Sequence, residues 1–131
     1  MLRIAEYQSR GQWTFLGVLD PKQMNAFYPN LDVLVVPSLN STEAFGLVQI
    51  EAMMNGVPSV PSALPGVRRP VQMHGMGLVS QIGDSVSLGE SILSVLDDPS
   101  KYRGDIEEIR KSYDPDSIAQ EYEKLFTKLM G

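Results

Sequence analysis

Two acidic residues, Glu43 and Glu51, have the spacing in this chain that most suggests chemistry. Seven residues separate them, and all but Gln49 are apolar or glycine. We predict a helix over residues 45–55, in which apolar side chains point in nearly every direction around Glu51. Because an ionised carboxylate out of water is costly unless it is paired, Glu51 needs a partner. The hydroxyl groups of a bound ligand are one candidate, and solvent or an internal partner is the alternative.

Glu43 lies immediately before this predicted helix, where backbone amides lack partners and the helix dipole favours a negative charge. It therefore fits an ordinary helix cap as well as a residue that faces a ligand. Gly46 would let another group approach the first turn closely, and the amides there suit a sugar hydroxyl or a phosphate oxygen. The same glycine also fits simple close packing.

The composition is that of one ordinary globular domain, with 43% hydrophobic and 21% charged residues,. We predict a single domain over residues 1–131, with an α/β part up to about residue 100 and helices from about 101 to 131. No apolar run approaches the ~18 residues of a membrane span, no secretory leader is evident, and cysteine is absent. A cytoplasmic location is expected, with peripheral membrane attachment left open for a longer enzyme.

The chain is acidic, with a formal net charge of -5. That charge argues against a nucleic-acid partner, which would require a basic stripe. It also leaves few cations for a ligand that contains phosphate. Arg68 and Arg69, next to a glycine turn at Gly66, would either contribute to such a site or simply be solvated.

Short apolar runs alternate with helical patterns along the chain. In addition to the helix after Glu43, we predict strands over residues 13–17, 32–37, 57–61 and 76–80, and helices over residues 22–28, 84–96, 102–113 and 117–130. This alternation indicates an α/β fold, with a Rossmann-like parallel sheet and flanking helices. Ligands bind such sheets at the carboxyl ends of the strands, so Glu43, Gly46 and Gly66 are expected to meet at one edge.

Motifs for other chemistries are missing from the sequence. It contains no phosphate-binding loop, no G-x-G-x-x-G and no H-E-x-x-H. A Ser-His-Asp site would have to use His74, the single histidine, and no nucleophile signature accompanies it. We therefore predict that His74 is a loop residue.

Four segments together resemble a known family. They are Phe-Leu-Gly at residues 15–17, Asp-Val-Leu-Val-Val-Pro-Ser at residues 32–38, the Glu-x7-Glu segment with its Phe-Gly pair at residues 43–53, and Gly-Val-Pro at residues 56–58. They are similar to the retaining glycosyltransferases of family 4, which have the GT-B fold. The similarity runs from about Trp13 to the carboxyl terminus, and the Glu-x7-Glu segment is its most specific part.

The resemblance implies a donor site around Glu43 and Glu51. Glu51 would bind the ribose hydroxyls of a nucleotide sugar, and Glu43, the implied catalytic residue, would face the hydroxyls of the donor sugar. The other implied donor-binding residues are Phe45, Gly46 and Leu47 for sugar or diphosphate oxygens, Val18 and Leu19 for the base, and Gly66 for the neighbouring turn. The implied transfer retains anomeric configuration, uses no metal or other cofactor, and stabilises the leaving diphosphate electrostatically.

The chain departs from the family in its length and its cations. Family enzymes have two Rossmann-like domains, and the first two strands of the donor domain, normally before the segment at residues 13–17, carry the Arg and Lys that neutralise the diphosphate. In the strand order 3-2-1-4-5-6 they lie between residues 13–17 and 32–37. We therefore expect these two segments to pair directly, or the open edge to pair with a second copy or a partner. After the glycine turn, where the family often has a glutamate, this chain reads Val-Arg-Arg-Pro.

The resemblance as a whole predicts a partial carboxyl-terminal half of a GT-B fold. Its function would be to bind the nucleotide-sugar donor of a retaining glycosyltransferase that transfers a sugar to a hydroxyl acceptor. A missing amino-terminal domain or a partner chain would complete the active site. Two alternatives stay open: part of a GT-B sugar-nucleotide epimerase, and a non-catalytic binding or assembly subunit.

Overall fold

The computed structural model describes residues 2–40 and 47–130. Its helices are α1 (Leu2–Ser9), α2 (Pro21–Phe27), α3 (Leu47–Met54), α4 (Arg69–His74), α5 (Ser85–Asp97), α6 (Ile106–Ser112) and α7 (Pro115–Met130), with short 3-10 helices at Tyr28–Asn30 and Pro99–Tyr102. Its strands are β1 (Leu34–Val36) and β2 (Ser59–Pro61). Three of the predicted site residues, Glu43, Phe45 and Gly46, lie outside the described residues.

The sheet is parallel, as expected for this alternation of elements. β1 pairs with β2 in a register that places Leu34 opposite Ser59 and Val36 opposite Pro61. On the other side of β2, the predicted strand at residues 76–80 pairs only through two isolated bridges, Ser59 with Gly77 and Ser62 with Ser80. Gly77 has a φ of 140° and passes so close to β2 that a Cβ there would clash with a backbone carbonyl, which is why this segment requires glycine.

The predicted strand at residues 13–17 is wrong. This segment forms no strand in the described part of the chain, and its large side chains are exposed, Phe15 to 65% and Leu16 to 55%. The expected direct pairing with β1 is therefore also wrong. Strand propensity reflects packing on a sheet surface, and in the described residues this segment meets no sheet; Trp13 and Phe15 contact each other edge to face instead.

α3 lies at the centre of the core. Ile50 and Met53 pack with residues of α4 and α6, whereas Ala52 packs on the other side with Tyr28 and Val57. A third cluster joins β2 to α5 and the second 3-10 helix. The burial of α3 on two sides explains why its sequence is apolar in nearly every direction.

The ends of the helices are determined by caps that the sequence contains. Asp20 and Gln23 form a reciprocal capping box at α2, and Asp84 accepts backbone hydrogen bonds at the start of α5. Asp105 accepts from the amide of Glu108 and so begins α6, which separates α6 from the preceding 3-10 helix. The helix predicted over residues 102–113 is therefore shorter than expected: only Ile106–Ser112 is α-helical.

The carboxyl-terminal helix α7 packs loosely. None of its residues is buried, and its apolar side chains, among them Tyr122, Leu125, Phe126 and Leu129, are largely exposed. α1 was not predicted; its described side chains are exposed except that of Ile4, which is partly buried. In the described ranges, no helix combines the length and the apolar character needed to cross a membrane.

Candidate functional site

A buried glutamine ties α3 to β2 and to the turn at Gly66. Gln49, on α3, is fully buried; its Nε2 donates a hydrogen bond to the carbonyl oxygen of Val67 at 2.7 Å, and its Oε1 accepts one from the Ser59 hydroxyl at 2.8 Å. The first bond holds the Gly66 turn against α3, and the second holds α3 on β2. Sequence reasoning missed Gln49, although a polar residue inside an apolar helix was the same signal that singled out Glu51.

Glu51 has an internal partner. The hydroxyl group of Tyr28 donates a hydrogen bond of 2.6 Å to Oε2 of Glu51, and Tyr28 itself is only 2% exposed. Burial, followed by the hydrogen bond and the charge of Glu51, raises the pKa of Tyr28 well above its usual value,. The tyrosine therefore stays a hydrogen-bond donor at neutral pH and orients the carboxylate.

The carboxylate of Glu51 nevertheless faces outward. Glu51 is exposed, whereas Ile50, Ala52 and Met53 beside it are buried. Of the two partners left open by the sequence, the internal one is present, and contact with a ligand stays a prediction. Tyr28 was not anticipated, because the bond joins residues 23 positions apart and no local pattern announces it.

The remaining predicted donor-binding residues are placed unequally. Leu47, at the described start of α3, is 64% exposed. Val18 is fully exposed and Leu19 is half buried. In the part of the chain that the structure describes, no hydrogen bond or ring contact connects Val18 to α3, so the proposed contact with a base stays a prediction.

The two arginines after the Gly66 turn differ from each other. Arg69 begins α4 and is exposed. Arg68 is half buried, and its Nη1 donates to the carbonyl oxygen of Ala63 at 3.3 Å. Its Nε is buried and has no hydrogen-bond partner within residues 2–40 and 47–130. For Arg68 the prediction of a simply solvated side chain is therefore wrong.

His74 is a helix residue, which corrects the loop prediction. It ends α4, and its Nε2 lies 3.3 Å from the hydroxyl oxygen of Tyr113. Burial lowers the pKa of His74, against the opposing charge of Glu108. The contact joins α4 to the end of α6, so the role of His74 in this structure is packing.

Among the described residues, no group of three or more His, Asp or Glu side chains could hold a metal ion. Part of the predicted site lies outside those residues, and a donor site without metal or other cofactor stays a prediction.

The sequence of this chain matches a known protein family. The family model described as "Glycosyl transferases group 1" matches residues 2–113. The chain belongs to this family. This match confirms the predicted Rossmann-like parallel α/β fold and the predicted membership of a GT-B glycosyltransferase family.

Two curated relatives illustrate the extent of the similarity. N-acetyl-alpha-D-glucosaminyl L-malate synthase of Bacillus anthracis is 28% identical over 92 residues, which are 67% of this chain and 24% of that protein. Phosphatidyl-myo-inositol mannosyltransferase of Mycobacterium leprae is 34% identical over 82 residues, 63% of this chain and 22% of that protein. The chain thus spans about a quarter of the length of these relatives.

Two solved structures are similar to nearly all of this chain, and the chain covers about a third of each. Sucrose-phosphate synthase from Thermosynechococcus elongatus superposes with a TM-score of 0.78 and 31% identity, over 98% of this chain and 33% of that one. Anabaena HepE, solved in complex with UDP, has a TM-score of 0.62 at 24% identity, over 94% of this chain and 35% of that one, and supports the fold alone.

Proposed function

We propose that this chain is the nucleotide-sugar-binding part of a retaining glycosyltransferase, which moves a sugar from a nucleoside diphosphate to a hydroxyl acceptor. The observation that carries the proposal is the carboxylate of Glu51, an exposed residue that lies between the buried residues Ile50 and Ala52 and is oriented by the hydroxyl of Tyr28. A carboxylate held in this way accepts hydrogen bonds from a pair of neighbouring hydroxyl groups at little cost in side-chain entropy. The ribose of a nucleotide sugar offers such a pair.

The other roles follow from membership of the family. Glu43 would face the donor sugar close to the carbon that reacts, and the amides of Phe45, Gly46 and Leu47 would bind sugar or diphosphate oxygens at the positive end of α3. Val18 and Leu19 would border the base. A metal-free site and a cytoplasmic location belong to the same proposal.

Arg68 would supply a positive charge for the diphosphate. Gln49 holds the turn that precedes Arg68 against α3, and the buried Nε of Arg68 lacks a hydrogen-bond partner in the described part of the chain. A phosphate oxygen would give this N–H a charged acceptor, and hydrogen bonds of that kind are the strong ones. Arg68 would then serve as one of the cations that family members normally carry on earlier strands.

Further sequence would complete the sheet and the active site. The bonds between β1 and β2 use the backbone of Leu34 and Val36, so the backbone groups of Val35 point to the opposite edge. In the described ranges no strand pairs with that edge. We propose that upstream strands or a partner chain cover it in the working enzyme; a second copy is the alternative, and light scattering of this chain would show it as a dimer.

The test of donor binding is ligand-observed NMR with UDP-, GDP- and ADP-sugars. We expect one base to be preferred, and Glu51→Gln to abolish that binding because it removes the negative charge while keeping the size of the side chain. Arg68→Gln should weaken binding of the sugar nucleotide but not of the free nucleoside.

The matched control is Glu90→Gln, which removes one charge from an exposed position on α5 and should leave binding unchanged. The same titrations are repeated on the chain extended with upstream strands from a relative. Failure of both proteins to bind any sugar nucleotide would refute the proposal and favour the assembly subunit. Product analysis of a protein that also carries a relative's amino-terminal domain separates transfer from epimerisation.

A further inference from the structure

A cavity of about 180 Å³ lies at the carboxyl edge of the sheet, on the side towards α5. Its walls come from the residues that follow β1, β2 and the segment at 77–80, together with the first turns of α5. The apolar part of the wall includes Pro37, Leu39 and Leu88. The polar part includes Ser62, Ser80 and Asp84. Neither Glu51 nor Arg68 lines it.

Ser62 gives this cavity an unused polar group. Ser62 is 2% exposed, and among the residues that the structure describes its hydroxyl has no hydrogen-bond partner. Ser80, which is equally buried in the same wall, donates its hydroxyl hydrogen bond to the carbonyl oxygen of Pro61 at 3.2 Å. A buried hydroxyl without a partner is unfavourable, and a ligand hydroxyl in the cavity would provide one.

The charge of the lining selects against anions. The backbone amides at the start of α5 would ordinarily attract a phosphate, but Oδ1 of Asp84 already accepts hydrogen bonds from the amides of Val86 and Ser87, at 3.0 and 2.9 Å. Asp84 also places a negative charge in the wall, and no lysine or arginine is among the described residues that line the cavity. The ligand that fits is neutral and carries hydroxyl groups.

The size of the cavity and its apolar wall further restrict the kind of ligand that fits. Leu39 and Leu88 form a nonpolar surface with Pro37, which suits the C–H face of a sugar ring. A cavity of about 180 Å³ suits one sugar ring better than a whole nucleotide. We propose that this cavity binds a single neutral sugar ring, with Ser62 as hydrogen-bond partner and Leu39 and Leu88 as the stacking wall.

The test is a titration of the isotope-labelled chain, followed through backbone amide NMR signals. The probes are glucose, galactose, mannose, N-acetylglucosamine and myo-inositol, with inorganic phosphate as the charged probe. We expect saturable shifts at Ser62, Ser80 and Leu88 with at least one neutral probe, and none there with phosphate. No shift at these amides with any neutral probe, or a larger shift with phosphate, would overturn the proposal.

Two variants locate the binding. Leu39 is 69% exposed, so Leu39→Trp should fill the mouth of the cavity without disturbing the core and weaken binding about tenfold or more. Ser62→Ala should weaken it less. Leu93→Trp makes the same change at an exposed position of α5 outside the lining and should have no effect. Equal binding by the Leu39 and Leu93 variants would contradict the assignment.

Binding of a neutral sugar in the cavity should not depend on the donor site at Glu51. Glu51→Gln should leave the response to neutral sugars intact, because Glu51 does not line the cavity. Loss of that response in Glu51→Gln would mean that the sugar binds at the donor site and would overturn the proposal of a separate cavity site.

Discussion

α3 and the segment at residues 13–18 have similar apolar content but opposite environments. Met53 of α3 is fully buried, whereas Val18 is fully exposed. α3 packs against α6, β1, β2 and the first 3-10 helix, while in the described residues the segment at 13–18 joins no sheet. Apolar sequence therefore indicates what a segment could bury, and the neighbours present in the chain decide whether it does so.

The largest expected change in the free energy of unfolding comes from a substitution in α3, compared with one in residues 13–18. Met53→Ala removes a fully buried side chain and should lower the free energy of unfolding by about 2–5 kcal/mol. Leu16→Ala, at a position 55% exposed, should change it by less than about 0.5 kcal/mol. Urea unfolding followed by circular dichroism measures both. Similar losses in the two variants would show that residues 13–18 are packed in solution.

Much of the fold could be predicted because its signals are local. The apolar runs of β1 and β2 are bounded by turn residues, and Asp84 acts as a cap directly before the helix it begins,. The failures have a common cause. Residues 13–17 have strand composition but no neighbouring strand in the described structure, and α4 is a short helix after a glycine turn that offered little periodic signal.

In the candidate site, the sequence singled out Glu51 but not the residues that hold it in place. Glu51 stood out because its charge interrupts an apolar helix. Its partner Tyr28 is 23 positions away, and the carbonyl that Gln49 binds is 18 positions away. Such contacts depend on the way the helices pack, and one sequence does not reveal them.

The second prediction concerns the two hydrogen bonds by which Gln49 of α3 holds the Gly66 turn and β2. Gln49→Leu keeps the approximate size of the side chain but leaves the carbonyl of Val67 and the hydroxyl of Ser59 without their partner. We expect a loss of about 1–3 kcal/mol in the free energy of unfolding. Amide NMR shifts should change at residues 66–68.

Ser59→Ala is the comparison for that variant. It removes only one of the two hydrogen bonds and leaves the bond to Val67 in place, so the shifts at residues 66–68 should stay near those of the unmodified chain. If Gln49→Leu leaves the signals of that turn unchanged, Gln49 does not hold it against α3.

The smallest effect concerns Tyr28, which joins the core to the exposed carboxylate of Glu51. Tyr28→Phe should cost about 0.5–1.5 kcal/mol, since it removes one hydrogen bond and keeps the ring packed. The raised pKa of Tyr28 adds a dependence on pH. Below about pH 10, the usual tyrosine pKa, the hydroxyl is protonated in both the folded and the unfolded chain, and its contribution to stability is complete.

Above that pH the unfolded chain releases the proton while the folded chain retains it, so the stability that Tyr28 contributes falls as the pH rises. Urea unfolding between pH 8 and pH 11 should therefore show a steeper loss for the unmodified chain than for Tyr28→Phe. Parallel pH curves for the two proteins would mean that the pKa of Tyr28 is not raised by folding. In that case Tyr28 would not be a fixed donor to Glu51, and the exposed carboxylate would lose the orientation on which the proposed ribose contact depends.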